Sequence, residues 1–241
     1  MNIAILGIGL MGFPMGRRLC EAGHTVHVWN RSNHKALRLE SFGALVHDTP
    51  ANAVADADLV ITVLDNGAVV GHVLFDLGAA AAMRADCLVI DMSSIKPTEA
   101  RDHAARLSEL HIAYLDAPVS GGTIGAESGS LAIMVGGKLS HFERAFPVLQ
   151  LLGRPTLVGP TGTGQLTKLA NQMIVGATIG VVAEALLLCE RGGAHMDKVR
   201  EAITGGFADS RILQVHGQRM VERDFSPRGR MSIQLKDLRN A

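Results

Sequence analysis

The sequence predicts an α/β protein, in which a doubly wound parallel sheet is followed by an all-helical second domain. Short apolar runs alternate with segments of helical spacing through the first two-thirds of the 241 residues. These runs are rich in Val, Ile and Leu with little polar alternation, as is typical of strands buried on both faces. From Thr163 onward the pattern is wholly helical. Strict alternation of strand and helix implies βαβ units with a sheet covered on both sides.

The elements of the first domain follow from these runs. Strands are predicted at Asn2–Leu6, Thr25–Trp29, Leu59–Leu64, Cys87–Asp91 and Ile112–Asp116. Apolar residues at helical spacing predict helices between them at Met11–Ala22, Asn33–Phe42, Ala68–Leu77 and Pro97–Leu110. After Pro118 the glycine-rich segment Ser120–Ser130 is expected to be hairpin-like, and Leu131–Val135 to add one more strand beside the sheet.

The helical part begins with one long element. Gly164–Arg191 predicts a single helix, about 42 Å long at the standard rise. Shorter helices are predicted at Met196–Thr204, Ser210–Arg223 and Ser232–Asn240. We therefore expect domains at residues 1–162 and 163–241. The apolar stretch Met173–Cys189 contains Gly176, Gly180 and Glu184, so it is expected to be a buried helix rather than a membrane span.

Composition narrows the classes of partner. The formal net charge is zero, aromatic residues make up only 4%, and basic residues are scattered, so a nucleic-acid partner is not expected. The three cysteines, Cys20, Cys87 and Cys189, lie far apart in the chain. This fits a reducing compartment, and we expect a cytoplasmic protein with no metal site and no membrane partner.

The segment GIGLMG predicts a dinucleotide site. Gly7, Gly9 and Gly12 have G-x-G-x-x-G spacing, follow a strand directly and open a helix. In such a turn the first glycine allows the tight bend, the second lets the backbone approach a pyrophosphate, and the third allows helix and strand to pack closely. The turn, with Leu10 and Met11, is therefore expected to bind the cofactor at the helix N-terminus. A glycine-rich turn without a ligand is the alternative.

The residues after the second strand favour NADPH over NADH. An NAD site usually places Asp or Glu here, against the ribose 2′-hydroxyl, but this chain has Asn30, Arg31 and Ser32. Arg31 can pair with a 2′-phosphate, Asn30 and Ser32 can hydrogen-bond it, and Lys35 adds a second positive charge. If Arg31 is instead a solvated charge or stacks on the adenine, the preference is mixed and NAD is possible.

Ligands of an open parallel sheet bind outside the carboxyl ends of its strands. Leu64, at one such end, is assigned to the cofactor site. Ser93 and Ser94, at the next, can contact the nicotinamide, of which Ser94 is the residue we assign; an N-cap is the plainer explanation for such serines. The amides of Ser120, Gly121 and Gly122 can receive a substrate carboxylate, as a nest of N–H groups does.

Lys168 is the strongest chemical candidate. It lies near the start of the long helix, where the helix dipole is expected to lower its pKa. Such a lysine can act as general acid toward a carbonyl oxygen. Asn171 is three residues further on and projects from the same helix face. A solvated lysine on an amphipathic helix is the alternative, against which the neighbouring Asn and the preceding glycine loop both weigh.

Six ordered segments resemble the β-hydroxyacid dehydrogenases, which include 3-hydroxyisobutyrate dehydrogenase and tartronate semialdehyde reductase and are related to 6-phosphogluconate dehydrogenase. They are GIGLMGFPMG, the NRS after the second strand, DMSS, DAPVSGGTIGAESGSLAIMVGG, GTGQLTKLANQ and QLKDL. The resemblance implies a Rossmann domain and a helical domain for substrate binding and dimerisation, with Lys168 catalytic. It also implies that Asn171 and Ser120–Gly122 bind substrate and that Lys236 reaches the cofactor and substrate.

The resemblance leads to a function. It implies an NADP(H)-dependent oxidoreductase that interconverts a small β-hydroxyacid and its semialdehyde, working as a homodimer or homotetramer on a small carboxylate. DMSS, KLANQ and GGFADS look closer to tartronate semialdehyde reductases than to 3-hydroxyisobutyrate dehydrogenases. Family members are usually some fifty residues longer, so the helical domain is expected to be short at its C-terminus. The alternatives are 3-hydroxyisobutyrate dehydrogenase or another semialdehyde reductase, an imine reductase, against which Lys168 weighs, and a non-catalytic dinucleotide-binding module.

Overall fold

The computed structural model describes residues 1–226 and 231–240. It divides into two compact units, Met1–Lys168 and Leu169–Ala241. The division falls inside one long helix, six residues after the predicted domain boundary at 162/163.

The strands of the first unit form one sheet. They are β1 (Asn2–Leu6), β2 (Thr25–Trp29), β3 (Leu45–Val46), β4 (Leu59–Thr62), β5 (Leu88–Asp91), β6 (Ala113–Asp116), β7 (Val119–Ser120), β8 (Leu131–Gly136) and β9 (Gly153–Gly159). Their order is β3-β2-β1-β4-β5-β6-β8-β7, with β9 paired to β8. The predicted β1 and β2 coincide with the observed strands, and the other predicted strands differ by one or two residues at an end.

Helices connect the strands and continue into the second unit. They are α1 (Gly12–Glu21), α2 (Asn33–Leu37), α3 (Pro50–Val54), α4 (Gly67–Gly71), α5 (Ala79–Ala82), α6 (Pro97–Glu109), α7 (Gly122–Ser128), α8 (Leu139–Leu152), α9 (Thr163–Arg191), α10 (Met196–Ile203), α11 (Gln218–Glu222) and α12 (Met231–Asn240). A 3₁₀ turn at Glu40–Phe42 follows α2, and π-helical turns at His72–Asp76 and Leu213–Gly217 extend α4 and precede α11.

The sheet is buried on both faces, as the continuous apolar strands predict. Ile3 and Ile5 of β1 belong to one buried cluster, and Ala4 and Leu6 belong to the other. Because successive side chains of a strand point to opposite faces, the central strands β1, β4, β5 and β6 contribute to both layers of core, whereas the buried side chains of β8 belong to the first cluster. The predicted doubly wound α/β architecture is therefore confirmed.

The segment from β6 to β8 differs from the predictions of a parallel sheet and of a hairpin-like glycine segment. From β3 to β6 all neighbouring strands are parallel, but β8 runs antiparallel to both β6 and β7. The glycine-rich segment after Pro118 is not a hairpin. Instead β7 is followed by the helix α7, and the chain then returns as β8. Gly121 and Gly122 have φ values of 139° and 62°, which allow the sharp turn from strand into helix.

Two elements after β8 were not predicted because their sequences contain residues that usually interrupt such elements. Helix α8 contains Pro147, and β9 contains Gly153 and Pro155. Gly153 is required here, since a Cβ atom on it would lie 2.1 Å from the carbonyl oxygen of Leu131. Close strand packing therefore selects glycine where local propensity disfavours a strand.

The second unit has a small core of its own. Val182 and Leu186 of α9 are buried with Leu213, and side chains of α10 and α11 pack against them. The stretch Met173–Cys189 was expected to be a buried helix, and the burial prediction is wrong, because most of its residues are exposed and only Val182 and Leu186 are buried. By length and composition alone α9 is the one described helix that could cross a membrane, which is weak evidence because core helices pass the same test.

Candidate active site

The glycine turn closes tightly against β4. Gly7 has a φ of +110°, and a Cβ atom on it would lie 2.3 Å from the carbonyl oxygen of Val63. A Cβ atom on Gly12 would lie 2.0 Å from the carbonyl oxygen of Gly7. Around Gly9, by contrast, no described atom comes within 4 Å of such a Cβ position. The turn is therefore packed at both ends and open in the middle, where a ligand has to approach the backbone.

The start of α1 fits a pyrophosphate. The helix begins at Gly12 and has no acidic residue in its first turn. The N–H of Phe13 donates to the carbonyl oxygen of Gly9 at 3.1 Å, and the helix start carries the positive end of the helix dipole. Leu10 is 75% exposed, and Met11 is partly buried against the core. The residues of the turn therefore have the shape and charge that a dinucleotide phosphate needs.

Asn30 connects the glycine turn to the loop after β2. Its Oδ1 accepts a hydrogen bond of 2.9 Å from the backbone N–H of Ile8, and its Nδ2 donates one of 2.9 Å to the carbonyl oxygen of Ser32. Arg31 is exposed, and Ser32 precedes α2 without capping it through its side chain. Asn30 thus holds the turn in place, a task that the sequence did not suggest.

A cavity of about 550 Å³ lies beside the open middle of the turn. Its lining includes Gly9, Leu10, His34, Lys35, Arg38 and Glu127. The Arg38 guanidinium is stacked over the ring of Phe13, 4.3 Å from the ring centroid. His34, Lys35, Arg38 and the acidic Glu127 therefore line this space, and Lys35 is the one of them predicted to bind the 2′-phosphate. Arg31 is not among the lining residues.

A second feature of the carboxyl edge is a chain of buried hydrogen bonds that begins at Asp91, the last residue of β5. Its Oδ1 accepts from Thr62 Oγ1 at 2.7 Å and from the N–H of Ser93 at 3.0 Å, and its Oδ2 accepts from the Tyr114 hydroxyl at 3.2 Å. Ser93 Oγ in turn accepts from the N–H of Leu64 at 3.0 Å. Burial raises the pKa of Asp91, and the hydrogen bonds from Ser93 and Thr62 oppose that rise.

The chain of bonds continues to the start of α9. Gln165 donates from Nε2 to the carbonyl oxygen of Ser93 at 2.8 Å and accepts at Oε1 from the N–H of Ile95 at 3.0 Å. Asp116, at the end of β6, accepts from the N–H of Gly162 at 2.7 Å and from that of Gln165 at 2.8 Å. Burial raises the pKa of Asp116 to about 6, against the lowering effect of these two bonds, so it is mainly ionised at neutral pH.

The predicted catalytic lysine belongs to the same edge of the sheet. Lys168 is only 8% exposed and follows Gln165 by three residues on α9. Ser120 lies in β7, paired with β8, and is partly buried, while Gly121 and Gly122 are exposed at the start of α7. A lysine is rarely buried without a specific task or partner. Its burial separates Lys168 from the solvated lysine that was the alternative.

The remaining predicted residues lie in the second unit. Asn171 donates to Gln172 Oε1 at 2.9 Å, and Gln172 donates to Gln234 Oε1 at 2.9 Å and to Asp237 Oδ2 at 3.0 Å. Lys236 lies 3.1 Å from Asp237 Oδ1. These bonds attach α12 to α9, and Asp237 is almost wholly buried. The residues of QLKDL thus fix the described end of the chain to the helix that carries Asn171.

The structure places the glycine turn, Ser94, Lys168 and the Ser120–Gly122 loop in the first unit, where their roles stay predictions, and it adds Asp91, Asp116 and Gln165, to which the sequence analysis assigned no role. Ser94 is half-buried in the loop after β5. These three residues have one shared signal in the sequence, which is that each is a polar residue within one of the segments DMSS, DAPVSGGTIGAESGSLAIMVGG and GTGQLTKLANQ. No group of His, Cys, Asp and Glu that could hold a metal is found among residues 1–226 and 231–240.

Two family profiles match the chain. The one described as the NAD binding domain of 6-phosphogluconate dehydrogenase matches residues 2–164. The one described as the NAD-binding domain of NADP-dependent 3-hydroxyisobutyrate dehydrogenase matches residues 162–241. The two matches together span both units, and they meet at the start of α9, beside Lys168.

Individual proteins show the same similarity. The 2-hydroxy-3-oxopropionate reductase of Escherichia coli (strain K12) is 44% identical over 99% of this chain and 82% of its own length. The structure of Mycobacterium tuberculosis 3-hydroxyisobutyrate dehydrogenase with L-serine has a TM-score of 0.91 at 35% identity, covering 99% of this chain and 84% of that one. A structure described as Psf3 with NADP⁺ and 2-OPP has a TM-score of 0.90 at 25% identity and covers 99% and 85%.

Proposed function

The chain belongs to the β-hydroxyacid dehydrogenase family, and we propose that its reaction is the NADPH-dependent reduction of tartronate semialdehyde (2-hydroxy-3-oxopropionate) to the β-hydroxyacid, and the reverse. That it is an NAD(P)-dependent dehydrogenase acting on a hydroxyl group follows from the family. The choice of substrate is supported by the 44% identity to the E. coli reductase and by the segments DMSS, KLANQ and GGFADS.

The observation that carries the proposal is the burial of Lys168 at the carboxyl edge of the sheet. When bound, the reduced nicotinamide supplies a hydride to the aldehyde carbon. Lys168 donates a proton from its ammonium group to the aldehyde oxygen, and in the reverse direction it accepts the proton of the hydroxyl group. Because Lys168 is shielded from bulk water, its charge acts on the oxygen in a medium of lower dielectric constant.

Substrate orientation is assigned to the backbone amides of Ser120, Gly121 and Gly122, together with Asn171. The amides at the start of α7 are donors without an acceptor inside the helix, so they suit a carboxylate. A carboxylate that is held there limits the positions open to the aldehyde carbon, and orientation of this kind can lower a barrier by several kcal/mol.

The preference for NADPH is assigned to Lys35 and Arg31. No acidic residue follows β2 directly, and Lys35, His34 and Arg38 line the cavity beside Gly9. The positive charge in this cavity would attract the 2′-phosphate of NADPH, whereas the 2′-hydroxyl of NADH would gain little from it. A cytoplasmic homodimer or homotetramer is part of the same proposal, as is the approach of Lys236 to the cofactor and substrate.

The test is a steady-state comparison of tartronate, methylmalonate and succinic semialdehydes, each with NADPH and with NADH. We expect the highest kcat/KM for tartronate semialdehyde with NADPH. Lys168→Ala should lower kcat by about 10²–10⁴-fold, as expected for loss of a general acid, and leave the NADPH Kd within about threefold because the lysine contributes to the chemical step. Lys138→Ala, at an exposed lysine, is the control.

Each comparison in this experiment, of substrates or of cofactors, can overturn one part of the proposal. A higher kcat/KM with methylmalonate semialdehyde would make the protein a 3-hydroxyisobutyrate dehydrogenase, the alternative favoured by the TM-score of 0.91. Equal or faster turnover with NADH would overturn the cofactor preference. Tight NADPH binding without turnover of any of the three semialdehydes would overturn the substrate assignment.

A further inference from the structure

We propose that Asp116 and Gln165 are positioning residues for Lys168, which clamp the first turns of α9 to the carboxyl edge of the sheet. The inference rests on the proposed function, because it assigns a task to the helix that carries the proton donor. Neither residue has to touch the substrate, since both act through the backbone of that helix.

Asp116 fixes where the helix starts. Both of its carboxylate oxygens accept backbone N–H groups, from Gly162 at 2.7 Å and from Gln165 at 2.8 Å, and the side chain is completely buried. These N–H groups belong to the helix start, where intrahelical acceptors are missing and a negative charge is favourable. The two bonds span 46 and 49 residues of chain. They join the end of β6, which leads into the Ser120 loop, to the helix of Lys168.

Gln165 fixes how the helix is rotated. Its carboxamide donates a hydrogen bond to the carbonyl oxygen of Ser93 and accepts one from the N–H of Ile95, so both ends of the carboxamide are bonded to the backbone of the loop after β5. Ser93 also accepts from the N–H of Leu64, a residue assigned to the cofactor site. Rotation of α9 about its axis would break both Gln165 bonds. The direction of Lys168 is therefore tied to the two loops on the cofactor side.

Two glycines allow this close approach. A Cβ atom on Gly164 would lie 2.4 Å from the carbonyl oxygen of Met134 and 2.6 Å from that of Asp116. A Cβ atom on Gly136 would lie 2.6 Å from Asp116 Oδ1 and 2.7 Å from the nitrogen of Gly164. The helix start thus sits nearer the strands than any other residue type permits.

The arrangement is more elaborate than a helix start requires. An exposed Ser or Thr cap would satisfy the same amides without the desolvation of a buried carboxylate. The buried clamp also fixes the position of α9 relative to the ends of three strands, β4, β5 and β6. A displacement of about 1 Å in a reacting group can lower a rate 100-fold, so a fixed register matters for Lys168.

The variants are Asp116→Asn and Gln165→Met in the full chain. Asp116→Asn keeps the size but turns an amide NH₂ toward a backbone donor. Gln165→Met keeps the length, removes both carboxamide bonds and changes no charge, so it carries the test if Asp116→Asn does not fold. Asp58→Asn is the control for loss of a carboxylate that accepts a backbone N–H, because Asp58 Oδ2 accepts that of Asn2 at 2.9 Å at the opposite edge of the sheet. Unlike Asp116, Asp58 is partly exposed and lies 3.8 Å from Arg84 Nη1.

Three measurements are made on each protein: amide hydrogen exchange over residues 162–168, the rate at which trinitrobenzenesulfonate labels Lys168, and the kinetic constants with NADPH. In Asp116→Asn and Gln165→Met we expect faster exchange and faster labelling, each by about tenfold or more, because opening of the clamp exposes both groups. We expect kcat to fall about 10–100-fold, with the KM for NADPH within about threefold. Asp58→Asn should match the wild type in all three.

Unchanged exchange and labelling in both variants would overturn the proposal, as would faster exchange spread evenly over the first unit or an equal loss of kcat in Asp58→Asn. If the wild type turns over no semialdehyde, the proposed function fails. The exchange and labelling results then still decide whether the clamp holds Lys168.

Discussion

The glycine turn and the Asp116–Gln165 clamp lie at the same edge of one sheet, yet they are held in place by different forces. In the turn the constraint is steric, because Cβ atoms on Gly7 and Gly12 would lie 2.3 Å and 2.0 Å from carbonyl oxygens. In the clamp the constraint is polar, because completely buried Asp116 and Gln165 satisfy each other and the surrounding backbone.

The turn and the clamp also differ in how far apart along the chain their contacting residues lie. The turn itself spans six residues, and its contacts outside that segment include the carbonyl oxygen of Val63 and the side chain of Asn30. The clamp joins residues that lie 46 to 72 positions apart, so it exists only after the sheet has formed. Steric constraints tolerate no added atom, whereas a buried hydrogen-bonded group tolerates a change of shape better than the loss of its partner. Three predictions test this contrast.

The largest effect is expected in the turn, from Gly12→Ala compared with Gly9→Ala. In Gly12→Ala two backbone segments would have to separate, so the NADPH Kd should rise by about 100-fold or more and the free energy of unfolding should fall by about 1–3 kcal/mol. Gly9→Ala meets no described atom within 4 Å. It should therefore unfold at the wild-type temperature and still raise the Kd by about tenfold, because the methyl group occupies the approach of the pyrophosphate.

Fluorescence titration with NADPH and thermal unfolding give both quantities for the two variants. Wild-type affinity in Gly9→Ala would show that the pyrophosphate does not approach the turn at this point. Equal destabilisation by the two substitutions would contradict the steric distinction between the packed ends and the open middle.

The second prediction concerns the pH dependence of the free energy of unfolding, which the buried carboxyl group of Asp116 causes. Burial raises the pKa of Asp116 from 3.8 to about 6, so between these values the folded state holds more protons there than the unfolded state. The stabilisation from this group is fully present below pH 4 and is lost as the pH rises through 6. About two pKa units correspond to about 3 kcal/mol, of which roughly half is lost between pH 5 and 7.5.

Chemical denaturation of the wild type and of Asp116→Asn over that pH range measures this difference. The free energy of unfolding of the wild type should fall more steeply with rising pH than that of the variant. Asp91, whose pKa is also raised by burial, is present in both proteins, so its contribution largely cancels. Parallel curves would mean that the Asp116 carboxyl titrates as an ordinary exposed acid.

The smallest effect is expected from Lys35→Met, at the rim of the turn. Lys35 is exposed, so loss of its charge should raise the NADPH Kd only about tenfold and leave the NADH Kd unchanged, because only the former has a 2′-phosphate. Increasing salt should weaken the wild type toward the variant, since exposed charges are screened. Lys138→Met is the control, and an equal change for NADH would remove Lys35 from the phosphate site.

Much of the first unit could be predicted from the sequence. A strand such as β1 is a short apolar run whose burial on both faces is visible in the residues themselves. Helix α8 and strand β9 could not be found in this way, because Pro147, Gly153 and Pro155 oppose the elements that contain them. Their formation depends on packing against β8, which lies outside any local window.

The candidate site likewise contains features that the local sequence predicts and features that depend on tertiary packing. Gly7, Gly9 and Gly12 are recognised by their spacing after β1, and Lys168 and Asn171 share a helix face because of their spacing, so the sequence alone determined where the turn and the helix of the candidate site lie in the chain. Only the tertiary structure decided that Asp116 and Gln165 join that helix to the strand ends. Whether a carboxylate becomes a clamp depends on which N–H groups the fold brings to it and on how much water the fold removes, and both are properties of the folded chain.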